Sequence, residues 1–434
     1  MTAGEGNRRL RLSLGRAGVP VGTLTYAKQG RREFSAVAYD ESWLVKGFNV
    51  SADLRWSPGH QPHKAPRTEE SVFHGALADT APDSWGRRVI ARDHARRRAA
   101  GEDLGPLTEL DYLLAVDDFS RVGALRILSD DGFARTVEEG RRRTPPFVEL
   151  ARIGQSVRAL EGGQESAEDL QYLLGKGTSL GGMRPKCTVL DRDGSLSIGK
   201  FPSLADTRSV TQGEVLVQRL ARLAGIDAAE ARTEIIDGIP VAIIRRFDRN
   251  QCHERIGYQS AASMLQATRD DDSSYTQIAD ALRAQGADPV GDIRQLWRRV
   301  VFSFLVTNTD DHLHNHGFLH AGGGLWRLAP AFDVNPFPDR RRESKTWLTP
   351  DDGPVASVRL LMERCALFDL TRDAARGILG EVLRAVRRWR EVAMSAEVGL
   401  TNRDLADFAP AFEHEHLEEA EAMTTPAGRV IDQR

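Results

Sequence analysis

The segment from Asn308 to Asn315 carries the residues most suited to chemistry in this chain of 434 residues. Asp310 is followed five positions later by Asn315, and a further carboxylate, Asp333, comes after a stretch that is typical of a hairpin. Kinase-like folds use an Asp, an Asn at this spacing and a second Asp to hold a catalytic base and Mg²⁺. Asp310 is therefore the candidate base, and Asn315 and Asp333 are the candidate Mg²⁺ ligands. Asp311 is the rival for the role of base, and the spacing to Asn315 favours Asp310.

Upstream of this segment lie groups that could bind phosphate. Residues 175–186 are rich in glycine, and Gly181 and Gly182 leave backbone N–H groups able to approach a phosphate closely. A strand is predicted to follow, whereas the P-loop of nucleotide triphosphatases continues into a helix. Lys200 lies near the end of the next predicted strand, and Glu214 on the following predicted helix is its natural ion-pair partner.

Lysine is rare in this chain, because only seven of its 59 basic residues are lysines. Three of them, Lys176, Lys186 and Lys200, fall close together. Lysine carries a compact ammonium group on a flexible side chain, whereas the guanidinium group of arginine is planar and broad. A lysine in a chain whose other basic residues are mostly arginine therefore indicates a position that arginine does not fill. Lys186 is therefore a second candidate phosphate contact.

Four histidines follow the candidate base and suggest an alternative. His312, His314, His316 and His320 could bind one metal ion if they alternated along a strand, as in a metal-dependent hydrolase. No second cluster of His or Cys supplies the remaining ligands, which makes this the weaker interpretation. Within the kinase interpretation, His312 is a candidate contact to nucleotide phosphate.

The composition excludes several classes of protein. Hydrophobic residues make up 41% and charged residues 28% of the chain, as expected for a soluble globular protein. The longest apolar run, from Val300 to Val306, is far shorter than the ~20 residues that cross a bilayer. Three scattered cysteines and a polar N-terminus predict a cytoplasmic protein without disulfides. A net charge of −3 argues against direct nucleic-acid binding by the whole chain.

The elements that must position these groups can be predicted from periodicity and turn signals. Alternation predicts β-hairpins over residues 9–50, and a basic helix over 83–100 is predicted to begin at an Asp83 cap. The remaining predicted elements are strands at 187–190, 195–201, 231–236 and 239–247, and helices at 210–224 and 293–308. The predicted domains are an N-terminal β-rich subdomain (1–140), a nucleotide-binding lobe with the Gly-rich loop (141–248) and a helical C-terminal catalytic domain (249–434).

These segments together resemble the HipA-type serine/threonine-protein kinase toxins of bacterial type II toxin–antitoxin modules. The matching segments are 77–87, 179–186, 199–202, 246–249, 308–315 and 328–333. They span nearly the whole chain in the family's order. The resemblance implies an α+β, kinase-like two-domain fold. Its N-terminal domain is mixed α/β with an extra β-rich subdomain, its C-terminal domain is mainly helical, and an ATP cleft lies between them.

The resemblance also implies an activity and partners. The family members are ATP- and Mg²⁺-dependent kinases that phosphorylate host proteins, in known cases aminoacyl-tRNA synthetases. They are held by a small helix-turn-helix antitoxin, HipB-like, which binds operator DNA, so this chain would meet DNA through that partner. The arginines between Arg87 and Arg98 would then face the partner or DNA. Ser179 matches the family's autophosphorylation position, where a phosphate of about −1.5 to −2 charges would repel ATP.

Further nucleotide contacts are implied at Met183, Arg184, Arg245 and Phe247. Some relatives carry an acidic residue in place of Arg245, but the backbone from Arg245 to Phe247 can still pair with adenine. Two rival functions stay open. A small-molecule kinase of the aminoglycoside type uses a similar loop but does not need residues 1–140, and a non-catalytic regulator would keep only a relic of the ATP cleft.

Overall fold

The computed structural model describes residues 7–63, 71–129, 132–133, 144–176, 182–268, 271–339 and 343–424. The strands are β1 (Arg8–Leu14), β2 (Val19–Gln29), β3 (Arg32–Tyr39), β4 (Gln61–His63), β5 (Leu125–Ser129), β6 (Gly132–Phe133), β7 (Lys186–Leu190), β8 (Leu196–Lys200), β9 (Ala231–Ile236), β10 (Ile239–Arg245), β11 (Tyr258–Ser260), β12 (Gly317–Gly322) and β13 (Leu325–Leu328).

The helices are α1 (Glu41–Lys46), α2 (Gly75–Ala78), α3 (Ser84–Ala99), α4 (Glu109–Ala115), α5 (Leu150–Glu161), α6 (Ala167–Lys176), α7 (Val210–Leu223), α8 (Ala261–Leu265), α9 (Tyr275–Gln285), α10 (Pro289–Leu305), α11 (Val358–Arg364), α12 (Arg372–Val386), α13 (Trp389–Ala393), α14 (Asn402–Phe412) and α15 (Glu415–Thr424). Within the described ranges, none of these helices is both long enough and apolar enough to span a membrane.

The predicted N-terminal hairpins form a six-stranded sheet in the order β4-β3-β2-β1-β5-β6. Neighbouring strands are antiparallel, and β3 alternates between exposed and buried residues as a strand with one covered face should. The covered face packs against residues of α1, α2 and α4, including Trp43, Leu77 and Leu113. This apolar layer forms one hydrophobic core of the chain.

The second sheet has the order β7-β8-β10-β9 and carries the candidate phosphate-binding lysines. The predicted turn at Asp193-Gly194 joins β7 to β8, and Gly194 has a φ of +80° there, which glycine adopts without steric cost. The antiparallel register makes Lys186 and Lys200 direct cross-strand partners. A third sheet, in the order β11-β12-β13, contains the hairpin predicted between Asn315 and Asp333.

The predicted basic helix is confirmed as α3, and Asp83 caps it by accepting a hydrogen bond from the Gly86 N–H at 2.7 Å. Trp85 and Val89 on its apolar stripe join a second core made with α5, α6 and the strands β7 and β10. The predicted helix over 210–224 is α7, which Gly225 follows with a φ of +74°. Local capping and turn signals therefore placed these elements within a few residues.

Helix α10 corrects the predicted helix over 293–308. It begins at Pro289, because Asp288 accepts a hydrogen bond from the Gly291 N–H at 3.1 Å and proline is favoured in a first helical turn. It ends at Leu305, because the chain turns sharply at Thr307, whose φ is +56°. The segment with the candidate base is therefore a loop that leaves the helix earlier than the apolar pattern indicated.

Contacts divide the chain into two compact units. The first unit contains Met1–Thr207, Glu234–Asp271 and Gly317–Ala329, and the second contains Arg208–Thr233, Asp272–His316 and Pro330–Arg434. In the second unit α10 packs against α9 and α12, and its Trp297 also contacts Phe368 from the short 3-10 helix Cys365–Phe368, at 5.2 Å between ring centroids. Both units are formed from separate segments of the chain, and the three successive domains inferred from sequence stay a prediction.

Candidate functional site

The catalytic-loop segment, residues 306–316, places Asp310 in a half-buried position in the second unit. The side chain of Asp310 is 37% exposed, and its Oδ1 lies 2.5 Å from the Nζ of Lys345. The loop starts from a rigid support, because Thr307 Oγ1 donates a hydrogen bond to the Ala411 carbonyl at 3.1 Å. Asp310 therefore has the access to solvent that a base needs, together with a neighbouring cation.

Asn315 lies beside Asp310 because a short 3-10 turn over Leu313–Asn315 folds the loop back. The Nδ2 of Asn315 donates to the Asp310 carbonyl at 3.0 Å, and the His312 N–H donates to the same oxygen at 3.0 Å. The hydrogen bond from Nδ2 orients the side-chain amide of Asn315, and the Asn315 Oδ1 is then the atom suited to a hard cation. The structure thus brings the predicted base and one predicted Mg²⁺ ligand together.

Asp311 has a different environment, being 5% exposed. Its carboxylate lies 2.9 Å from the Nε2 of His316 and accepts a hydrogen bond from the Tyr275 hydroxyl at 2.6 Å. Burial acts to raise the pKa of Asp311, but His316 and the Tyr275 hydrogen bond outweigh it and hold the pKa below its ordinary value. Asp311 therefore fixes the loop, and the contrast supports Asp310 as the base.

Lys345 is a residue that the sequence interpretation missed. Its neighbour Thr346 donates two hydrogen bonds to the Asp311 carbonyl, from N at 3.0 Å and from Oγ1 at 2.6 Å. These bonds hold Thr346, and with it Lys345, beside the catalytic-loop segment, where the Lys345 ammonium contacts the Asp310 carboxylate. The rarity of lysine was the available signal, since Lys345 is one of only seven.

Asp333 adopts a left-handed backbone conformation with a φ of +55°. A residue other than glycine in this region is strained, and such strain is often found at functional sites. The Nδ2 of Asn335 donates to the Asp333 carbonyl at 3.3 Å, and the Asn335 N–H donates to the Asn308 Oδ1 at 3.3 Å. These bonds tie the Asp333 turn to the start of the catalytic-loop segment.

A small cavity in the second unit lies next to the candidate metal ligands. Its wall includes Asn315, the two residues Phe332 and Val334 that flank Asp333, and the buried Arg299. Burial lowers the pKa of Arg299 to about 10, which still leaves the guanidinium charged at neutral pH. Asn315 and the two residues that flank Asp333 therefore line one cavity, and the Mg²⁺ contacts predicted for Asn315 and Asp333 stay predictions.

The first unit holds two lysines side by side on its four-stranded sheet. Lys186 and Lys200 are cross-strand partners, and they are only 2% and 6% exposed. The Nζ of Lys186 lies 3.3 Å from the Oδ2 of Asp83. Two lysine side chains are thus buried on neighbouring strands, and one of them lies against Asp83. Their predicted contacts to phosphate stay predictions.

The described end of the Gly-rich loop adjoins this pair. Gly182 has a φ of +84°, and a Cβ placed on it would lie 3.2 Å from the Lys186 Nζ. Met183 is exposed, and the Arg184 Nη1 lies 2.7 Å from the Asp206 Oδ2. Ser179 and Gly181, with the rest of 177–181, lie outside the described residues, so their predicted roles stay predictions.

The residues predicted near adenine have separate surroundings. The Arg245 Nη1 lies 3.0 Å from the Asp193 Oδ2 in an exposed pair, and the ring of Phe247 lies 6.4 Å from that of Tyr258. Their predicted contacts to adenine stay predictions. Glu214 is buried in α7 of the second unit, whereas Lys200 belongs to the first unit, so the predicted ion pair of these residues also stays a prediction.

The Arg246–Arg249 motif has a structural role within the first unit. The Asp248 Oδ2 lies 2.6 Å from the Arg246 Nη2 and 2.7 Å from the Arg249 Nη1, and it accepts the Gly123 N–H at 2.8 Å. Burial acts to raise the pKa of Asp248, but the two guanidinium groups hold it well below its ordinary value. This buried ion-pair network fastens the loop after α4 to the end of β10.

The histidines do not alternate along one strand. His316 pairs with Asp311, and His320, the one of the four that lies within a described strand, stacks on Phe48 at 3.8 Å between ring centroids. The rings of His312 and His314 are 6.0 Å apart and perpendicular. These separate environments argue against a shared metal site. The contact of His312 to a nucleotide stays a prediction.

Comparison with known proteins gives two family models that match successive parts of the chain. The HipA N-terminal domain matches residues 16–128, and the HipA-like C-terminal domain matches residues 178–390. The inferred kinase Y4mE of Sinorhizobium fredii is 24% identical over 406 residues, which cover 88% of this chain and 84% of that protein. An inferred kinase of Haemophilus influenzae is 23% identical over 188 residues, which cover 38% of this chain and 55% of that protein.

The fold is also similar to that of a solved structure over nearly the whole chain. A chain of the HipA, HipB and operator DNA complex of Shewanella oneidensis MR-1 has a TM-score of 0.66 and 15% sequence identity. The match covers 95% of this chain and 97% of that chain. At this identity the likeness shows a shared fold, and it confirms the predicted α+β, kinase-like two-domain class.

Proposed function

Because this chain belongs to the HipA family, we propose that it is an ATP- and Mg²⁺-dependent serine/threonine-protein kinase that acts as the toxin of a toxin–antitoxin pair. The observation that carries the proposal is the difference in environment between the two adjacent carboxylates of the catalytic-loop segment. Asp310 faces solvent beside an Asn315 that is bonded to its backbone, while the adjacent Asp311 is buried and committed to structure. This is the division of roles that a base and a metal ligand at this spacing require.

Each predicted residue has a defined part in the proposed reaction. The oxygen of a substrate hydroxyl forms a bond to the γ-phosphorus of ATP while Asp310 accepts the proton of that hydroxyl. The bond from the γ-phosphorus to the oxygen of the β-phosphate breaks, and ADP is released. Lys186 and Lys200 hold phosphate oxygens. Asn315 and Asp333 provide oxygen ligands that suit Mg²⁺, which would offset the negative charge of the phosphates when bound.

The proposed substrate is a serine or threonine of a host protein, of the aminoacyl-tRNA synthetase class. We place the kinase in the cytoplasm under a HipB-like helix-turn-helix antitoxin that binds operator DNA. Support for the partner is the family membership together with the HipA of Shewanella oneidensis, which was solved with HipB and operator DNA. Autophosphorylation at Ser179 is proposed as a brake, because the added charge would repel the ATP phosphates.

The proposal is tested by transfer of phosphate from radiolabelled ATP to a bacterial lysate and to the protein itself. Asp310→Asn should lower the rate by roughly 10²–10⁴-fold, because a positioned base contributes about that factor. The matched control is Asp373→Asn, since Asp373 is in the second unit and its side chain is 92% exposed. Full transfer by the Asp310 variant, with the control also active, would overturn the assignment of the base.

The products separate this proposal from its rivals. Labelled proteins that contain phosphoserine or phosphothreonine support the kinase, and a phosphopeptide that contains Ser179 supports the brake. Label in small molecules but never in protein would favour an aminoglycoside-type kinase. No change in thermal stability on addition of Mg-ATP would favour a regulator that has lost nucleotide binding.

A further inference from the structure

Three potential metal ligands converge in the first unit, at the edge of the six-stranded sheet. Asp53 lies in the loop after α1, His63 ends the edge strand β4, and His74 immediately precedes α2. One ligand atom from each side chain lies within 4.8 Å of the other two. The His63 Nδ1 is 3.3 Å from the Asp53 Oδ2, and the rings of His63 and His74 are 5.0 Å apart.

We propose that Asp53, His63 and His74 form a binding site for a divalent transition metal, with Zn²⁺ the best suited. Two imidazoles and one carboxylate are a ligand set that Zn²⁺ uses, and three protein ligands leave a fourth position for water. Bonds of about 2.0–2.2 Å in a tetrahedron place ligand atoms roughly 3.3–3.6 Å apart. The His63 Nδ1 to Asp53 Oδ2 separation of 3.3 Å already lies in that range, and the separations to the ligand atom of His74, which are within 4.8 Å, would shorten on binding.

The surroundings of His74 favour a cation in this position. His74 is 2% exposed, and among the described residues its Nδ1 has no hydrogen-bond partner. A buried polar atom without a partner is costly unless it gains one.

The carboxylate is already oriented by neighbouring groups. Asp53 accepts a hydrogen bond from the Ser51 hydroxyl and from the Gly75 N–H at 3.2 Å. Hydrogen bonds of this kind fix the direction of a metal ligand. The side chains of Asp53 and His63 are 15% and 19% exposed, which leaves a route for the cation and a water ligand.

A metal ion here would have a structural effect. It would link β4, which pairs with the rest of the sheet only through β3, to the start of α2 and to the loop that contains Asp53. Edge strands are the least secured parts of a sheet, so a bond at this point stabilises the N-terminal part of the first unit. The site contains none of the residues proposed for phosphate transfer.

The test is the metal content of the full chain, purified without a histidine tag, after incubation with ZnSO₄ and gel filtration. We expect about one Zn²⁺ per chain, measured by plasma mass spectrometry. His63→Gln should lower the affinity about tenfold or more, because it removes a direct ligand. The matched control is His60→Gln, since His60 is a nearby exposed histidine outside the cluster, and it should retain the metal.

Substitution with Co²⁺ gives a second measurement on the same proteins. The wild type and the His60 variant should show the visible absorption of Co²⁺ in a low-symmetry nitrogen and oxygen site, and the His63 variant should lose it. Circular dichroism checks that the His63 variant is folded. Metal far below one per chain in the wild type, or equal metal in the His60 and His63 variants, would overturn the proposed site. Kinase assays are not needed for either result.

Discussion

Two adjacent carboxylates in the catalytic-loop segment have opposite surroundings. Asp310 is 37% exposed and lies against the cation of Lys345, whereas Asp311 is 5% exposed and lies against His316 and Tyr275. Successive residues of an irregular loop point in different directions, so one can reach solvent while the other anchors the loop. The difference between them is one of environment and not of residue type, and it leads to different predictions for the two positions.

Asp311→Asn should destabilise the protein by roughly 1–3 kcal/mol at pH 7, because it removes a buried carboxylate that accepts a hydrogen bond from the Tyr275 hydroxyl and lies 2.9 Å from the His316 Nε2. The pKa of Asp311 is lower in the folded state than the ~3.9 of an unfolded chain. Its contribution is therefore present above that unfolded value and is lost as the pH falls through the folded one. Urea denaturation between pH 3 and pH 7 should show the wild type and variant converging in acid. A constant difference would contradict the role assigned to Asp311.

Gly182→Ala tests the approach of the Gly-rich loop to Lys186. Gly194→Ala is the matched control, because the two glycines have φ values of +84° and +80° while only Gly182 would place a Cβ 3.2 Å from the Lys186 Nζ. Both variants should lose about 1–2 kcal/mol of stability from left-handed strain. Only Gly182→Ala should weaken Mg-ATP binding, by roughly tenfold, which corresponds to about 1.4 kcal/mol. Calorimetric titration showing equal affinities would remove Gly182 from the nucleotide site.

At the scale of elements, the sequence predicted what local chemistry determines. The Asp83 cap, the Asp193-Gly194 turn and the stop at Gly225 each act within a few residues, and each appears where expected. The start of α10 was predicted four residues late because the Asp288 cap and Pro289 precede the apolar periodicity. Local signals therefore placed the elements more reliably than periodicity placed their ends.

The sequence could not predict contacts made between distant segments. Lys345 reaches Asp310 only because Thr346 is bonded to the Asp311 carbonyl, and no local pattern connects these positions. The same holds for the cluster of Asp53, His63 and His74, whose members come from a loop, an edge strand and a helix start. Such groups are determined by tertiary packing, so spacing along the chain carries no signal for them.

Asp83 joins two elements and gives a prediction at their scale. Its Oδ1 caps α3 and its Oδ2 lies beside Lys186 at the start of β7. Asp83→Asn should keep the helix cap and lose the ion pair, which should lower the free energy of unfolding by roughly 3–5 kcal/mol. Asp83→Ala should also lose the cap and lower the free energy of unfolding by about 1 kcal/mol more. Chemical denaturation of both variants measures the two contributions. Equal stability of Asp83→Asn and the wild type would show that Lys186 does not depend on this carboxylate.

At the scale of the whole molecule, the proposed function divides its residues between the two compact units. The lysines proposed to hold phosphate belong to the first unit, and the proposed base and Mg²⁺ ligands belong to the second. A nucleotide that uses both sets must stabilise both units, because any ligand that binds only the folded state stabilises the parts that it contacts. A nucleotide bound by one unit alone would leave local opening of the other unchanged.

Hydrogen exchange with and without a non-hydrolysable Mg-ATP analogue distinguishes these cases. We expect slower exchange in peptides from β7 and β8 and in peptides from residues 306–316, because the first carry Lys186 and Lys200 and the second carry Asp310 and Asn315. Lys200→Met should remove the protection of both sets together, since loss of a phosphate contact weakens binding of the whole nucleotide. Arg192→Met is the control, because Arg192 lies in the β7–β8 turn region and its side chain is 64% exposed. Protection confined to one unit would contradict the assignment of phosphate and metal ligands to both, even if the wild type proves to be an active kinase.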